Sequence, residues 1–294
     1  MRAGSWPCSA RAEGEGTLLL FAYDGSLNGD WVAHYAVRFA AASASKRLRL
    51  VHVHEGDPVV APRLARIEGE CRVAGVSLEV ELVPRQGQSV AELILARAPS
   101  AKSGMIIAGT RQRPRNLAYL ARTVSAELLA RASCGVVALR VVHPGTLGHP
   151  ERVLLPLSGH PRGAAGAIPL LDHLDPGLVH LHVLFVREVS RLRYRALDAR
   201  SAERLLGEGR RFVHAVESEL RAGLQARRFA LDSSVVVSDD VPKEILVHAS
   251  KHRARLICLG ASERSLPHRL VYGNPIEQVL RDAPCDVAVY RSGR

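Results

Sequence analysis

"GTRQRPRNLAYLARTVSAELLARASCGVVALR" (residues 109–140) and "GASERSLPHRLVYGNPIEQVLRDAPCDVAVYR" (residues 260–291) are two versions of one pattern. Each opens on a Gly after an apolar run and passes through a basic loop into an amphipathic helical stretch. Each then closes with a Cys and a second apolar run. The offset is 151 residues at the leading Gly and again at the Cys, Cys134 and Cys285. A constant offset over this length marks an internal repeat, so the 294 residues read as two copies of one unit.

The unit can be followed from the first copy. "TLLLFAYD" (17–24) is a continuous apolar run, as a parallel strand buried on both faces requires. "LNGDWVAHYAVRFAAASAS" places Trp31, Tyr35, Ala36, Phe39 and Ala40 on one side at helical spacing. "RLRLVHVH" (47–54) is the next strand, and "PRLARIEGECRVAG" a helix stopped at Gly75. "VSLEVELVP" alternates as a strand with one wetter face does. "SVAELILARA", "GMIIAG", "AYLARTVSAELLARA" and "GVVALRVV" follow as helix, strand, helix and strand. Five strands joined through helices require a parallel sheet with crossover connections.

The second copy repeats the order. "ERVLLPLS", "LVHLHVLFV", "FALDSSVVVS", "ARLICLG" and "DVAVYR" are its strands, and "AAGAIPLLDHL" is a helix despite Pro169. The expected fold is α/β: two tandem Rossmann-like doubly wound domains, each an open five-stranded parallel sheet flanked by helices. The two copies are expected to pair with pseudo-twofold symmetry. Residues 1–16 read as a disordered leader, 17–142 as the first domain and 143–150 ("HPGTLGHP") as a Pro/Gly-rich linker. Residues 151–294 form the second domain. Its principal departure is a long helical insertion at about 190–226, dense in Arg and Glu. That density suggests a solvated outer face with i,i+4 pairs, a partner-binding helix being the alternative.

Composition narrows the function classes. Hydrophobic residues make up 47%, enough for a core in each half, and no apolar run reaches the roughly 20 residues of a membrane crossing. The first residues lack the apolar stretch of a secretory signal, so a cytoplasmic protein is expected. Five Cys with no CxxC pair point to small buried side chains rather than a metal cluster. The net charge of +11 divides into +6 for residues 1–150 (18 Lys and Arg, 12 Asp and Glu) and +5 for residues 151–294 (22 and 17). A charge so dispersed, with 4% aromatics, argues against a specific nucleic-acid site.

In an open parallel sheet a ligand sits at the carboxyl ends of strands where the strand order reverses, here after strands one and four. "AYDGS" puts Asp24 at the first of these. It is either a carboxylate for a ribose, phosphate or metal, or a turn and cap residue. The loop after strand four carries Arg111, Arg113 and Arg115, with Thr123 at a helix start. That is either a phosphate cradle or a solvated basic loop. His52, His54, His180 and His182 alternate along strand two of each half, open to a metal site or to a core role.

With "DGS" after strand one, "LRLVHV" in strand two, the Gly-initiated loop and "APC" before the last strand, the chain resembles the universal stress protein family in its tandem form. Nucleotide-binding members carry Gly-x2-Gly-x9-Gly-[Ser/Thr] after strand four. In the first half the resemblance aligns Gly109 and the hydroxyl of Thr123 with that pattern, while Gln112 and Arg122 replace the second and third Gly. Asp24 matches the family acid, Ala22 precedes it by two, and Val53 matches the backbone contact to adenine. In the second half Gly260 and Gly273 match, Glu263 and Asn274 do not, Ser158 stands in place of the acid, and Val183 matches the adenine contact. By the same resemblance Thr110, Arg111, Gln112, Arg113, Val124 and Ser125 would line the first site. Pro156, Ala261, Ser262, Gly273, Asn274 and Pro275 would line the second. Glu263 sets a negative charge toward an anion, so the first half is the stronger candidate.

The resemblance implies a non-enzymatic stress or regulatory protein that binds ATP or a related adenine nucleotide, with Mg or Mn, and controls a partner protein. The alternative is a degenerate tandem module without nucleotide binding, acting as a dimerisation scaffold or holding another small ligand. An enzyme is the third reading, a weak ATPase or a nucleotidyl-transfer relative, but no nucleophile–base or paired-carboxylate constellation stands out. The assembly expected is an internal pseudo-dimer, with a homodimer of the full chain as a further option.

Overall fold

The computed structural model describes residues 18–56, 60–99, 104–110, 120, 123–157, 159, 164–174, 177–224, 229–261 and 275–293. The first half contains β1 (Leu18–Tyr23), α1 (Leu27–Ala42), β2 (Arg47–His54), α2 (Ala61–Val73) and β3 (Ser77–Pro84). It continues with α3 (Val90–Leu95), β4 (Gly104–Gly109), α4 (Val124–Arg131) and β5 (Gly135–Arg140). After a 3-10 turn at Pro144–Thr146 come β6 (Arg152–Leu157), α5 (Ile168–Leu174), β7 (His180–Glu188), α6 (Arg191–Arg195) and α7 (Ala199–Gly223). The chain ends with β8 (Ala230–Ser238), α8 (Val241–Lys251), β9 (Leu256–Gly260), α9 (Pro275–Asp282) and β10 (Asp286–Arg291).

The strands lie in the order β3-β2-β1-β4-β5-β10-β9-β6-β7-β8. Each half is the expected five-stranded doubly wound unit, and the pairs within each half are parallel. The two sheets do not stop at a gap. β5 and β10 pair antiparallel and make one ten-stranded sheet. The reason lies in their composition, since all six residues of each strand are buried. Left as edges, they would present apolar side chains and unpaired backbone groups to water.

The seam has the symmetry that the repeat predicts. Ala138 pairs with Val289, its own counterpart at the offset of 151, so the twofold axis passes through that pair. The guanidinium of Arg140 reaches the carbonyl of Ala283 at 3.4 Å, and that of Arg291 reaches the carbonyl of Ala132. These are the same contact made twice, in opposite directions, as an isologous interface requires.

Alternation along the strands sends side chains to two cores. Leu19, Phe21 and Tyr23 face one core with α1, α2, α5 and α7, and Leu20, Ile106 and Leu154 face the other with α3, α4, α8 and α9. Helix α1 buries Tyr35, Ala36, Phe39 and Ala40 as the spacing predicts, whereas Trp31 is only half-buried. Phe39 stacks on His173 of α5, so the halves meet above the sheet as well as through it. Pro169 is tolerated because α5 begins at Ile168, which places the proline in the first turn, where its missing N–H costs little.

Two stretches gain detail. The linker 143–150 is docked at its start. Asp286, fully buried, accepts hydrogen bonds from the amides of Val142 (2.7 Å) and His143 (2.9 Å) and from the Tyr35 hydroxyl (2.6 Å). The 190–226 stretch contains the crossover of the unit itself, with the short helix α6 placed ahead of it. Helix α7 is the β7–β8 crossover, the counterpart of α2, lengthened from 13 to 25 residues. Leu205, Gly209, Val213, Val216 and Leu220 bury one stripe of it, and the polar residues face outward. Its ion pair Arg210–Glu203 spans seven residues rather than four.

Candidate functional site

At the carboxyl edge of the first half, Tyr23 pairs with His52 and Ala22 with Ala108. Asp24 therefore leaves β1 beside the end of β2, where Val53 lies, and beside the end of β4, where Gly109 lies. This is the point at which the strand order reverses. Asp24 is exposed, and its Oδ1 accepts from the amide (3.0 Å) and hydroxyl (2.6 Å) of Ser26. Ser26 in turn caps α1 by accepting from the amide of Gly29 at 3.1 Å. The carboxylate is thus held by the turn, as a turn residue would be, and is also presented to solvent.

Gly109 sits where a side chain would be tight. A Cβ there would lie 3.1 Å from Nδ2 of Asn28 and 3.3 Å from the Val32 side chain. Asn28 also donates to the carbonyl of Thr110 at 3.4 Å, tying the start of α1 to the end of β4. Thr123 is the N-cap of α4. Its hydroxyl accepts from the amide of Ala126 (3.1 Å) and donates to the carbonyl of Leu120 (2.8 Å). Val124 is half-exposed, and Ser125 is buried with its hydroxyl 3.2 Å from that of Thr123. Thr110 is buried, its amide and hydroxyl both directed at the carbonyl of Leu139 (2.8 and 3.4 Å). It fastens β4 to β5 rather than lining a loop. Arg111, Gln112, Arg113, Arg115 and Arg122 lie outside the described residues.

The second half differs at the same edge. The β6–β9 ladder covers only Val153–Leu256 and Leu154–Ile257, whereas β1–β4 is paired at five positions. It ends two residues before Pro156, which has no N–H to give. Pro156 is half-exposed and Gly260 exposed, and the Ala261 amide bonds the carbonyl of Tyr290 at 2.7 Å, as Thr110 does to Leu139. Val183 is not at the strand end. It pairs with Leu155 inside the sheet and is fully buried, while Phe185 stands beside Leu157, the last residue of β6. By register, Val186 occupies the place that Val53 holds in the first half. Pro275, exposed, starts α9. Ser158, Ser262, Glu263, Gly273 and Asn274 lie outside the described residues.

A second cluster stands at the opposite, amino end of the second half. His182 of β7 lies on the sheet face that α8 covers, with His248 in the last turn of α8 and His252, its C-cap, one turn further on. One ring nitrogen from each lies within 4.8 Å of those of the other two. Asp232 of β8, paired with His182 in register, is hydrogen-bonded to His182 Nδ1 and lies 3.2 Å from His180 Nε2. Burial pushes His182, His248 and His252 below the usual imidazole range, and the Asp232 carboxylate opposes this at His182. The strand-two histidines pointed to half of this cluster. The rest was legible as "HASKH" (248–252), two histidines at i,i+4 on one helix face. In the first half His52 is buried and bonded to the carbonyl of Tyr23 (3.0 Å), a core role.

Among the described residues, Cys71, Cys134, Cys258 and Cys285 are free and buried. Burial raises all four thiols, Cys71 to about 11 and Cys285 to about 12. No helix among them is long and apolar enough to cross a membrane. A cavity of about 550 Å³ lies at the connection between halves, lined by His143, Pro144, Gly145, Thr146, His149, Glu151 and Arg255.

Comparison with known proteins bears on this frame. The model of the universal stress protein family matches residues 152–291. The second half of this chain is a universal stress protein domain. Universal stress proteins also share the fold across both halves. One from Archaeoglobus fulgidus DSM 4304 superposes with a TM-score of 0.59 at 17% identity, covering 94% of this chain and 97% of its own. A Pseudomonas aeruginosa UCBPP-PA14 protein assigned to the same group gives 0.59 at 18% identity, covering 93% and 92%. The cytoplasmic domain of a prokaryotic cation chloride cotransporter gives 0.57 at 13% identity, covering 95% and 96%. No curated protein matches the sequence of this chain.

Proposed function

We propose that the chain is a cytoplasmic tandem universal stress protein. Two copies of one domain are fused, and the first binds ATP or a related adenine nucleotide as a conformational ligand that governs a partner protein. The observation that carries this is Asp24, an exposed carboxylate fixed at the strand-order reversal beside Gly109 and the capped start of α4. Asp24 would hold the ribose hydroxyls, Val53 would border the base, and the first amides of α4 would face phosphate, accompanied by Mg or Mn. In this reading the nucleotide acts as a regulatory ligand and not as a substrate to be turned over.

Titration calorimetry of the purified chain with ATP tests the reading. Saturable binding is expected, and Asp24→Ala should weaken it roughly 10- to 100-fold, the effect of losing hydrogen bonds to a charged group. Absence of saturable binding at millimolar ATP would favour a second reading, a dimerisation scaffold without nucleotide. The seam favours that alternative, since β5–β10 and the reciprocal Arg140 and Arg291 contacts join the halves through the chain's own groups.

A further inference from the structure

The three histidines at the amino end of the second half are not explained by packing. His182 is 2% exposed and His248 6% exposed. Nε2 of His182, Nδ1 of His248 and Nε2 of His252 are each buried without a hydrogen-bond partner. Buried polar atoms in folded proteins are nearly always paired, so three orphaned ring nitrogens in one cluster call for an occupant. The rings cannot serve one another. They stack nearly parallel, at 21° for His182–His252, 22° for His182–His248 and 13° for His248–His252, while imidazole donates and accepts in its own plane.

We propose that His182, His248 and His252 bind a divalent transition-metal ion of the zinc class, with Asp232 fixing His182 for the purpose. The carboxylate takes the Nδ1 proton of His182 as a hydrogen bond, which leaves the Nε2 lone pair for the metal. A carboxylate–histidine pair of this kind is the usual support behind a metal-bound imidazole. Three neutral imidazoles without a thiol suit zinc and its neighbours, whereas Mg and Ca call for oxygen ligands. Nitrogens around a tetrahedral zinc at ~2.1 Å stand about 3.4 Å apart. Turning the His248 and His252 rings about χ2, a soft torsion in histidine, takes them out of the stack, aims their lone pairs at one point beside His182 Nε2 and closes the present separation of up to 4.8 Å. His252 is half-exposed, so an ion has a route in along that ring. The bound ion would clamp α8 to β7. The site belongs to the second half alone, because α3, which occupies the place of α8 in the first half, carries no histidine.

The test uses the full chain stripped with EDTA and dialysed, without nucleotide, so that its outcome is separate from the ATP reading. Titration with ZnCl2 is expected to show one tight ion per chain, and CoCl2 to give the strong visible bands of a four-coordinate ion. Asp232→Asn should weaken binding roughly 10- to 100-fold and His252→Ala by more than that. His54→Ala, in the other half, should leave it unchanged. Zinc should raise the melting temperature of the parent chain and not that of His252→Ala. Failure of the folded parent to bind Zn or Co would overturn the proposal. So would parent-like affinity in both His248→Ala and His252→Ala, which would place the ion on other histidines.

Discussion

Asp286 has no exposed surface and is held by groups from the other half of the chain, the Tyr35 hydroxyl and the amides of Val142 and His143. A carboxylate removed from water survives only with such donors. Burial and the neighbouring Asp286 push the Tyr35 hydroxyl well above the usual phenol range, so it remains a donor at any ordinary pH. Tyr35→Phe keeps the packing and deletes one donor. It should cost about 1.5–3 kcal/mol in urea unfolding, the range for hydrogen bonds to charged groups. An unchanged midpoint would mean that Tyr35 acts by packing alone. The sequence shows Tyr35 as a core residue at helical spacing. It could not show the hydroxyl's partner, 251 residues further on. Asp24 was legible for the opposite reason, because its turn partner Ser26 is two residues away. The partners of His182 lie 50 to 70 residues off, and only their mutual i,i+4 spacing was visible.

Helix α7 makes the same point for a longer stretch. Its presence was readable from composition, but its seat on the sheet was not, because a Gly interrupts the apolar stripe. A Cβ at Gly209 would fall 2.5 Å from the Val235 side chain and 3.2 Å from Phe185, so the missing side chain is what lets α7 lie close to β8. Gly207, two residues earlier, meets nothing within 4 Å. The two therefore respond oppositely to the same change. Gly207→Ala should stabilise the protein by roughly 0.5–1 kcal/mol through helix propensity. Gly209→Ala should destabilise it by about 1–3 kcal/mol through overpacking. Thermal unfolding of the two variants decides the matter, and equal shifts would contradict this seating. The parallel strands were the easiest elements to read, since continuous apolar runs such as "GMIIAG" leave little choice. The loops after β4 and β9, where the family pattern is altered, fall mostly outside the described residues.

Across the full chain the repeat offset of 151 reappears as a symmetry axis at Ala138–Val289. The repeat was legible. The fusion of its two sheets was not, because an apolar last strand reads identically whether it is covered by a helix or by its own counterpart. The seam has a measurable consequence. Residues 1–143 and 144–294 made separately each lose the partner of a wholly buried strand. Each should self-associate through β5 or β10, or aggregate, in sedimentation velocity. Two soluble monomers would show that the seam is dispensable.

Because the covalent connection sets the local concentration of one half around the other, dilution that would part a two-chain complex leaves this pair assembled. Each copy is then free to change without having to match an identical twin. One has kept an acid at its carboxyl edge, while the other has gathered imidazoles at its amino edge.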